Sequence, residues 1–471
     1  MSRSKTTPLY RQIMDDYIQK IQTGALLPGE KLPPERTIAK ERQVNRSTVV
    51  RALDELASLG WITRKQGSGT QVTQGQLGNR QAPFTNWPQW HPSSFIKEDP
   101  YLRKMKEIAQ NSATINLYSG DLPTRFIPDF AFPSMSWEQI RSHSTQNQPF
   151  GYAPLVQLLS KHLYEQFQFS FDTQQLMITS GSTQGIQLIL QTLVDKGDFV
   201  ATEDPSFLFA LPYFSSLGVQ LIGVAQDEEG LIAHEFAKLC QTKKIRLLYL
   251  NPTHQNPTGR TMSLQRRKQI IDICQRHHIP IIEDDVFAEL NFQKVPPKLK
   301  ELAPEQVIYL GSFSKIFTPL IKIGWIVAPR ALSKAFVETK QQLDLQTDIF
   351  TQLIAYHALN DPHYQTNHQQ LIQAIKQTDH YFQQLYAAIQ KDWHTDSIDG
   401  GIYRWLTWRH RPLKRKDWEL FLTHNILLAP SFLFSNDTIA CRINYTHVTT
   451  EQLSDLIERF TRISQELRKD V

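Results

Sequence analysis

The chain has 471 residues, 40% of them hydrophobic, so it is long enough to form at least two domains with sizeable cores. Its three cysteines lack metal-ligand spacing and are too few for a disulfide framework, and no apolar stretch is long enough to cross a bilayer. These features exclude the secreted and membrane classes, so we expect a cytoplasmic protein with neither a metal site nor a membrane partner.

Charge is distributed unevenly along the chain. The net charge is +5, and residues 1–73 account for all of it, with 12 Lys and Arg against 7 Asp and Glu. The rest of the chain is balanced, with 39 of each sign. This asymmetry indicates a small nucleic-acid-binding module attached to an electrically neutral body.

Three helices and a hairpin are predicted for residues 1–73. The first helix covers residues 9–22, a second follows Leu32-Pro33-Pro34, and a third begins after Asn45, a plausible N-cap. The segment WITRKQGSGTQV then predicts two short strands around a Gly-Ser-Gly turn. The predicted inward residues are Leu9, Ile13, Tyr17 and Ile21 on the first helix and Val49, Leu53, Leu56 and Leu59 on the third.

This order of elements is that of a winged helix-turn-helix, which suits DNA binding. The start of the third helix offers Arg46, Ser47 and Arg51 to a major groove, where an arginine can bond a guanine edge with two hydrogen bonds. The hairpin brings Lys65 to phosphates. The alternative is an ordinary three-helix bundle with a solvated basic face.

The segment LPGEKLPPERTIAKERQVNRSTVVRALDELASLGWITRKQGSGTQV resembles the GntR-type DNA-binding domain, and the match covers nearly all of residues 8–73. The resemblance implies that the partner of this module is double-stranded promoter DNA. The implied DNA contacts are Arg36, Arg46, Ser47, Arg51, Gln66 and Gly67.

Periodicity is lost between residues 74 and 112, where QGQLGNRQAPFTNWPQWHPSSFIKEDP is rich in Gln, Pro and Asn. This composition predicts a long linker. Trp87, Trp90 and Phe95 are costly to leave in water, so parts of the linker should lie against a folded surface.

Strand-like and helix-like runs alternate from residue 113 to residue 471, which predicts a mainly parallel sheet covered by helices on both faces. In such sheets ligands bind beyond the carboxyl ends of the strands. Four predicted strands end in polar clusters, and together they indicate a site. The clusters are Ser180–Thr183, Asn251–Asn256, Asp284–Asp285 and Ser312–Lys315.

The chemistry of these clusters converges on pyridoxal 5′-phosphate (PLP). A helix start at Ser182-Thr183 can hold a phosphate, a buried aspartate such as Asp284 can keep a pyridine nitrogen protonated, and Lys315 can form a Schiff base with an aldehyde. Asn256 could donate to a phenolate, and Phe207 could stack on a flat ring. Singly, each of these residues has an ordinary alternative as a surface charge, helix cap, turn residue or core residue.

The motifs EDPSF, NPTHQNPTG, EDDVFAEL, SFSK and CRIN resemble those of the fold-type I, class I/II aminotransferases over residues 113–471. That resemblance implies a large domain with a mainly parallel sheet and a small α+β domain. It further implies that Lys315 carries the internal aldimine and that Arg442 binds the carboxylate of a substrate or effector. The other implied cofactor contacts are Asp284, Asn256, Phe207, Ser182, Thr183, Ser312 and Lys322.

Several positions depart from the pattern of the working aminotransferases that the chain resembles. Phe287 stands where a tyrosine hydroxyl is usual, Lys322 replaces an arginine, and Leu320 replaces a glycine. The segment FGYAPLVQLL shows no clear counterpart of the tyrosine that reaches a neighbouring subunit's phosphate. We therefore expect cofactor binding to persist and aminotransferase turnover to be slow.

Both ends of the chain together resemble the MocR regulators, in which a GntR-type reader is joined to an aminotransferase-like body. The resemblance implies a head-to-tail homodimer, and an amino acid or amine effector that is sensed by external aldimine formation. Two alternatives stay open. The chain could be an active aminotransferase with an appended DNA-binding domain, or its body could have lost the cofactor and serve only for dimerisation.

Overall fold

Two compact units make up the chain, residues 1–93 and residues 94–471. Within the described residues, no helix is both long and apolar enough to cross a membrane. The computed structural model describes residues 8–22, 25–65, 69–73, 99–168, 171–317 and 321–469.

The N-terminal unit contains the predicted three helices and hairpin, so the winged helix-turn-helix is confirmed. Its core includes Val49 and Leu53, but two predicted core residues are exposed. Leu9 is the first residue of its helix and Leu59 is the C-cap of the third helix, so neither has a neighbouring turn to pack against. Asn45 is the N-cap of the third helix, without a side-chain cap bond. The elements are α1 (Leu9–Gln22), α2 (Glu35–Glu41), α3 (Arg46–Ser58), β1 (Ile62–Lys65) and β2 (Gly69–Val72).

Part of the predicted linker is a helix that belongs to the body, which corrects the boundary at residue 112. Helix α4 (Pro100–Ile108) has Asp99 as its N-cap, whose side chain accepts a 2.8 Å bond from the Tyr101 backbone N–H. Tyr101 and Met105 are buried, and the Tyr101 ring packs edge-on against Phe432. The helix is short and has few apolar residues, so the hydrophobic periodicity that would predict it is weak in this polar segment. Residues 74–98, with Trp87, Trp90 and Phe95, lie outside the described residues.

The centre of the body is an eight-stranded sheet in the order β6-β13-β12-β11-β10-β7-β8-β9. Neighbouring strands from β12 to β8 are parallel, whereas β13 and β9 are antiparallel to their neighbours. The prediction of a mainly parallel sheet is thus confirmed. The strands are β6 (Leu176–Thr179), β7 (Phe199–Asp204), β8 (Gln220–Asp227), β9 (Gly230–Leu231), β10 (Ile245–Leu250), β11 (Ile281–Asp284), β12 (Val307–Ser312) and β13 (Gly324–Val327).

Both faces of this sheet are buried. Leu247 and Ile282 contribute to one hydrophobic cluster, while their chain neighbours Leu248 and Ile281 contribute to another on the opposite face. This explains why the strands are nearly continuous apolar runs. The accompanying helices are α5 (Trp137–Ser144), α6 (Ala153–Phe167), α7 (Ser182–Leu193), α8 (Tyr213–Leu217), α9 (Ala233–Thr242), α10 (Leu264–His277), α11 (Leu299–Leu302), α12 (Arg330–Leu343) and α13 (Ile349–Leu359).

The C-terminal part forms a smaller α+β layer. Four antiparallel strands in the order β14-β15-β18-β17 accompany two long helices, α14 and α16. Two two-stranded sheets complete the described part of the body, since β3 pairs in parallel with β16 and β4 pairs antiparallel with β5. The remaining elements are β3 (Ile115–Asn116), β4 (Asn147–Gln148), β5 (Gly151–Tyr152), α14 (Tyr364–Ile389), β14 (Trp393–His394), β15 (Tyr403–Trp408), α15 (Glu419–Thr423), β16 (Ile426–Leu427), β17 (Ala429–Pro430), β18 (Ala440–Asn444) and α16 (Thr450–Lys469).

Candidate functional site

The predicted polar clusters lie at or directly after the carboxyl ends of strands in the large sheet. Asp284 is the last residue of β11, Asn251 follows β10, and Lys315 follows β12 by three residues. Ser182 begins α7 directly after β6, and Phe207 follows β7. Because β6, β7, β10, β11 and β12 run in the same direction, the structure brings these residues to one edge of the sheet.

Asp284 has the environment expected of a partner for a protonated ring nitrogen. Its Oδ2 accepts a 2.5 Å hydrogen bond from the Tyr249 hydroxyl, while its buried Oδ1 has no hydrogen-bond partner among the described residues. Burial raises the pKa of Asp284 to about 6, against a lowering by the Tyr249 bond. A buried carboxylate oxygen without a hydrogen-bond donor is costly, and a PLP pyridinium N–H would supply that donor.

Tyr249 is a site residue that the sequence analysis missed. It lies within the buried strand β10, where an aromatic residue is usually core, and only its hydroxyl reaches the site. The same end of β10 supplies Asn251, whose amide donates a 2.6 Å bond to the Asp284 backbone carbonyl. The Tyr249 bond therefore holds the Asp284 side chain, and the Asn251 bond holds its backbone.

Lys315 is mostly buried, and its ammonium group is engaged. Nζ donates 2.8 Å hydrogen bonds to the Asp121 carboxylate and to the Gly120 carbonyl. Its positive charge is close enough to Asp284 to lower the pKa of that carboxyl group slightly against the effect of burial. Because β11 and β12 are parallel neighbours, the lysine and the aspartate lie at the same edge of the sheet, as a Schiff-base lysine and a pyridinium partner require.

Arg442 is a buried cation on β18 with no carboxylate partner among the described ion pairs. Its two terminal nitrogens donate to the Asn256 side-chain oxygen at 2.9 Å and to the Tyr118 carbonyl at 2.8 Å. Its guanidinium lies 4.4 Å from the centroid of the Tyr403 ring, and its buried Nε has no hydrogen-bond partner in the ranges that the structure describes. An unneutralised guanidinium of this kind is a natural binding group for a ligand carboxylate.

Asn256 bonds both Phe207, the candidate ring-stacking residue, and Arg442, the candidate carboxylate-binding residue. Its amide oxygen is held by Arg442, which orients the amide NH2 group in the other direction. Its backbone carbonyl accepts a 3.1 Å bond from the Phe207 N–H, so the half-buried Phe207 is tied to the same loop. Phe287, which stands where a tyrosine is usual in the aminotransferases that the chain resembles, is buried and packs edge-on against Tyr403 at 5.4 Å.

The candidate phosphate residues converge at the start of β13. Gly324 pairs with Ser312 on one side and with Thr179 of β6 on the other, close to the start of α7. A Cβ at Gly324 would lie 2.6 Å from the Ser182 backbone nitrogen, so only glycine permits this approach. The Ser312 hydroxyl donates to the Ile323 carbonyl.

The two further candidate phosphate contacts, Thr183 and Lys322, are exposed. Thr183 lies on α7, and Lys322 lies just before β13. Leu320 lies outside the described residues.

A shallow groove of about 700 Å³ lies along α3 in the N-terminal unit, lined among others by Arg46, Ser47 and Arg51. These three side chains and Arg36 are exposed. The Arg46 guanidinium donates to Glu35 at 2.9 and 3.0 Å, and that of Arg51 lies 4.0 Å from the Tyr10 ring centroid.

Arg64, which no sequence pattern marked, pairs with both Glu35 and Asp54 and thereby joins the hairpin to α2 and α3. Gln66 and Gly67, the two DNA contacts predicted at the hairpin turn, lie outside the described residues.

Glu203, buried next to Asn251, predicts a specific pH dependence of stability. Its carboxylate accepts a 3.1 Å bond from the Asn251 N–H, and burial raises the pKa of Glu203 from 4.5 to about 8. The folded state therefore keeps a proton that the unfolded chain loses above pH 4.5, so this group costs stability as the pH rises from 4.5 to 8. Glu203→Gln should remove the cost, and the free energy of unfolding of the variant minus wild type should rise by about 2–4 kcal/mol between pH 5 and pH 8.5.

Denaturant unfolding at the two pH values measures this difference. Glu107→Gln, at an exposed position on α4, is the matched control and should leave the pH dependence unchanged. An equal effect of Glu203→Gln at both pH values would contradict the assignment.

The two units define a class of protein, a winged-helix reader joined to an aminotransferase-type body. The sequence profile of the gntR family of bacterial regulatory proteins matches residues 9–72, and that of the class I and II aminotransferases matches residues 114–460. A multiple-substrate aminotransferase from Thermococcus profundus is similar in structure, with 22% identity and a TM-score of 0.72 over 82% of this chain and 100% of that chain. Kynurenine aminotransferase from Pyrococcus horikoshii shows 25% identity and a TM-score of 0.70 over 80% and 97%.

Proteins that match most of the chain identify its family. The uncharacterised helix-turn-helix regulator YisV of Bacillus subtilis is 31% identical over 99% of this chain and 98% of its own length. YdfD of the same organism is 34% identical over 79% of each chain. The regulator NorG of Staphylococcus aureus is 25% identical over 90% and 97%. The chain belongs to the GntR-type transcriptional regulators that carry a class I/II aminotransferase domain, an architecture like that of the MocR regulators.

Proposed function

We propose that this transcriptional regulator binds promoter DNA through its N-terminal unit and uses PLP in its body to sense an amino acid or amine. The observation that carries the proposal is the combination of a buried Asp284 oxygen with a buried Arg442, because within the described part of the chain the oxygen has no hydrogen-bond partner and the arginine no acidic one. Class I/II aminotransferases are PLP-dependent, and these two groups match the needs of the cofactor ring and of a ligand carboxylate.

Each residue at the sheet edge would have a separate task. PLP, when bound, supplies an aldehyde that reacts with amines. Lys315 would hold the cofactor through its amine, Asp284 would keep the ring nitrogen protonated, and Phe207 would cover the ring. Arg442 would hold the effector carboxylate and so orient the effector amine. The start of α7 and the residues around Gly324 would bind the phosphate.

Regulation requires that the effector bind two states of the protein with different affinities, because a ligand with equal affinity for both shifts nothing. Arg442 suits this requirement since it already bonds the Asn256 side chain and the Tyr118 carbonyl. A ligand carboxylate on Arg442 competes with those bonds and changes how β18 is tied to the rest of the body. We propose that this change alters DNA binding.

The test uses the full chain loaded with PLP and a double-stranded site that the protein selects from a random DNA library. Amino acids and amines are titrated while the cofactor absorbance and the fluorescence anisotropy of the labelled DNA are followed together. The expected result is one compound class that changes both signals at the same concentrations. A compound that changes the absorbance while leaving DNA binding unaltered would contradict sensing, and failure to bind any selected DNA would contradict the regulatory role.

Arg46→Ala is expected to weaken binding to the selected site by about 1–3 kcal/mol, or roughly 5- to 150-fold, because an exposed arginine at the start of α3 can contact a base edge with two hydrogen bonds. Arg11, exposed on α1, provides the matched control, and Arg11→Ala should bind nearly as wild type. The measurement is a dissociation constant at fixed salt. Equal affinity of Arg46→Ala and wild type would show that α3 does not read the DNA.

A homodimer is supported by an apolar surface on the body. Trp137 and Phe350 are 69% and 46% exposed and stack on each other at 6.3 Å, and Leu345 nearby in the chain is 71% exposed. Apolar surface of this kind is unusual on a monomer. Trp137→Glu should shift the protein from dimer to monomer in sedimentation velocity at micromolar concentration, since it places a charge in the proposed interface.

Tyr164→Glu, at another exposed aromatic position on α6, is the control for this variant and should stay dimeric. A dimer of unchanged stability in Trp137→Glu would place the interface elsewhere.

An active aminotransferase remains the second candidate, favoured by Lys315 and Asp284 at one edge of the large sheet and by the buried Arg442 on β18. Steady conversion of an amino acid to its keto acid at about 1 s⁻¹ or faster would support it, because that is the low end of ordinary enzyme turnover. Slower turnover together with an effector response on DNA would support the sensor.

A further inference from the structure

A short stretch of backbone, residues 118–121, lies between the candidate cofactor lysine and the candidate carboxylate site. We call it the 118–121 segment. At one end its Tyr118 carbonyl accepts from Arg442, and at the other end Gly120 and Asp121 accept from Lys315. One segment thus contacts both cationic groups of the site.

The segment is fixed to the smaller layer of the body by several bonds. The Asn444 side-chain amide donates 2.9 Å bonds to the carbonyls of Ser119 and Asp121. The Tyr403 hydroxyl donates to the Gly120 carbonyl at 3.2 Å, and His447 Nε2 lies 3.0 Å from the Asp121 carbonyl. These bonds hold the backbone of the segment, from which the Asp121 side chain reaches Lys315.

The contact between Asp121 and Lys315 engages Nζ, the atom that would react with the aldehyde of the cofactor. Condensation with an aldehyde forms a bond from the nitrogen lone pair to the carbonyl carbon, and the oxygen leaves as water with two N–H hydrogens. Nζ of Lys315 is instead a donor in two hydrogen bonds, as an ammonium group that must first give a proton to solvent. The two hydrogens that make these bonds are the ones that leave with the oxygen, so both bonds have to break before the condensation is complete, and Asp121 competes with any aldehyde for this nitrogen.

We propose that Asp121 is a positioning residue that holds the Lys315 amine and restrains its reaction with aldehydes. The inference deepens the proposed function, since PLP is the aldehyde concerned. Asp121 is 46% exposed, so solvent screens its ion pair, and the restraint amounts to about threefold to fivefold in reactivity.

The first test needs no cofactor. The full chain is reductively methylated with formaldehyde and cyanoborohydride, and the initial rate at Lys315 is read by mass spectrometry. Asp121→Asn should speed the modification of Lys315 by about threefold or more, and Asp121→Glu, which keeps the charge, should restore a slow rate. Equal rates at Lys315 in wild type and Asp121→Asn would overturn the proposal.

The chain offers a matched pair as control. Lys340 Nζ donates two 2.9 Å bonds to Asp344, which also accepts from Gln184 of α7, and neither residue bonds Lys315 or the 118–121 segment among the described contacts. Asp344→Asn should change the rate at Lys340 while leaving Lys315 as in wild type. A faster Lys315 in Asp344→Asn would show a general loosening of the fold and would also overturn the proposal.

The second test measures PLP binding by absorbance. Asp121→Asn should lower the apparent dissociation constant for PLP by about threefold, because the competing ion pair is gone. Weaker PLP binding by Asp121→Asn would show that Asp121 assists the cofactor and would overturn the proposal. If neither protein binds PLP while Lys315 methylation still depends on Asp121, the proposed function fails and the restraint of the amine stands.

Discussion

Lys315→Ala protein is expected to lose all covalent attachment of PLP. Lys315 follows the end of β12, next to the Asp284 that would hold the cofactor ring nitrogen. Its amine is the group that the aldehyde needs, and alanine offers no replacement. The effect is complete because it removes a bond, whereas loss of a phosphate or ring contact would lower the affinity only in part.

The measurement is borohydride reduction of the PLP-loaded protein, followed by mass spectrometry of its peptides. Wild-type protein should carry the cofactor mass on the peptide with Lys315, and Lys315→Ala should carry none. Lys334→Ala, which removes an exposed lysine on α12, is the matched control and should label as wild type. Labelling of another lysine to the same extent in Lys315→Ala would show that the cofactor position has been assigned to the wrong residue.

The sheet edge that holds this lysine was predictable because hydrophobic runs break abruptly into polar clusters. The ends of β10, β11 and β12 coincide with those breaks, and parallel strands necessarily bring such ends to one edge. The antiparallel β13 did not interfere with the prediction, since it enters the sheet between β6 and β12 without moving their ends.

The parts of the site that sequence reasoning missed are those made by long-range contacts. Asp121 meets Lys315 across 194 residues, and no local pattern marks an aspartate in YSGDLP as its partner. Tyr249 lies in a strand whose other apolar residues are core, so its hydroxyl bond to Asp284 depends on the packing of two strands. Helix α4 was assigned to the linker because a single buried face of nine residues gives too weak a period.

Arg442→Gln should weaken binding of carboxylate-bearing effectors by about 30-fold or more, because truncating one member of a buried, hydrogen-bonded charge pair costs about 2–5 kcal/mol. Arg442 is the buried cation on β18 that lacks an acidic partner, so a ligand carboxylate would gain its full charge-assisted bond. Glutamine keeps a polar group beside Asn256 and limits the loss of stability from unpaired oxygens.

The sharpest comparison uses each amino acid that changes the absorbance of the PLP-loaded wild-type protein, together with the amine that lacks its carboxylate. Wild type should prefer the amino acid, whereas Arg442→Gln should bind both members of the pair about equally. Arg442→Lys, which keeps the charge without the planar fork, should fall between them. A preference for the amino acid that survives in Arg442→Gln would move the carboxylate site away from β18, and the coupling proposed through Tyr118 would lose its basis.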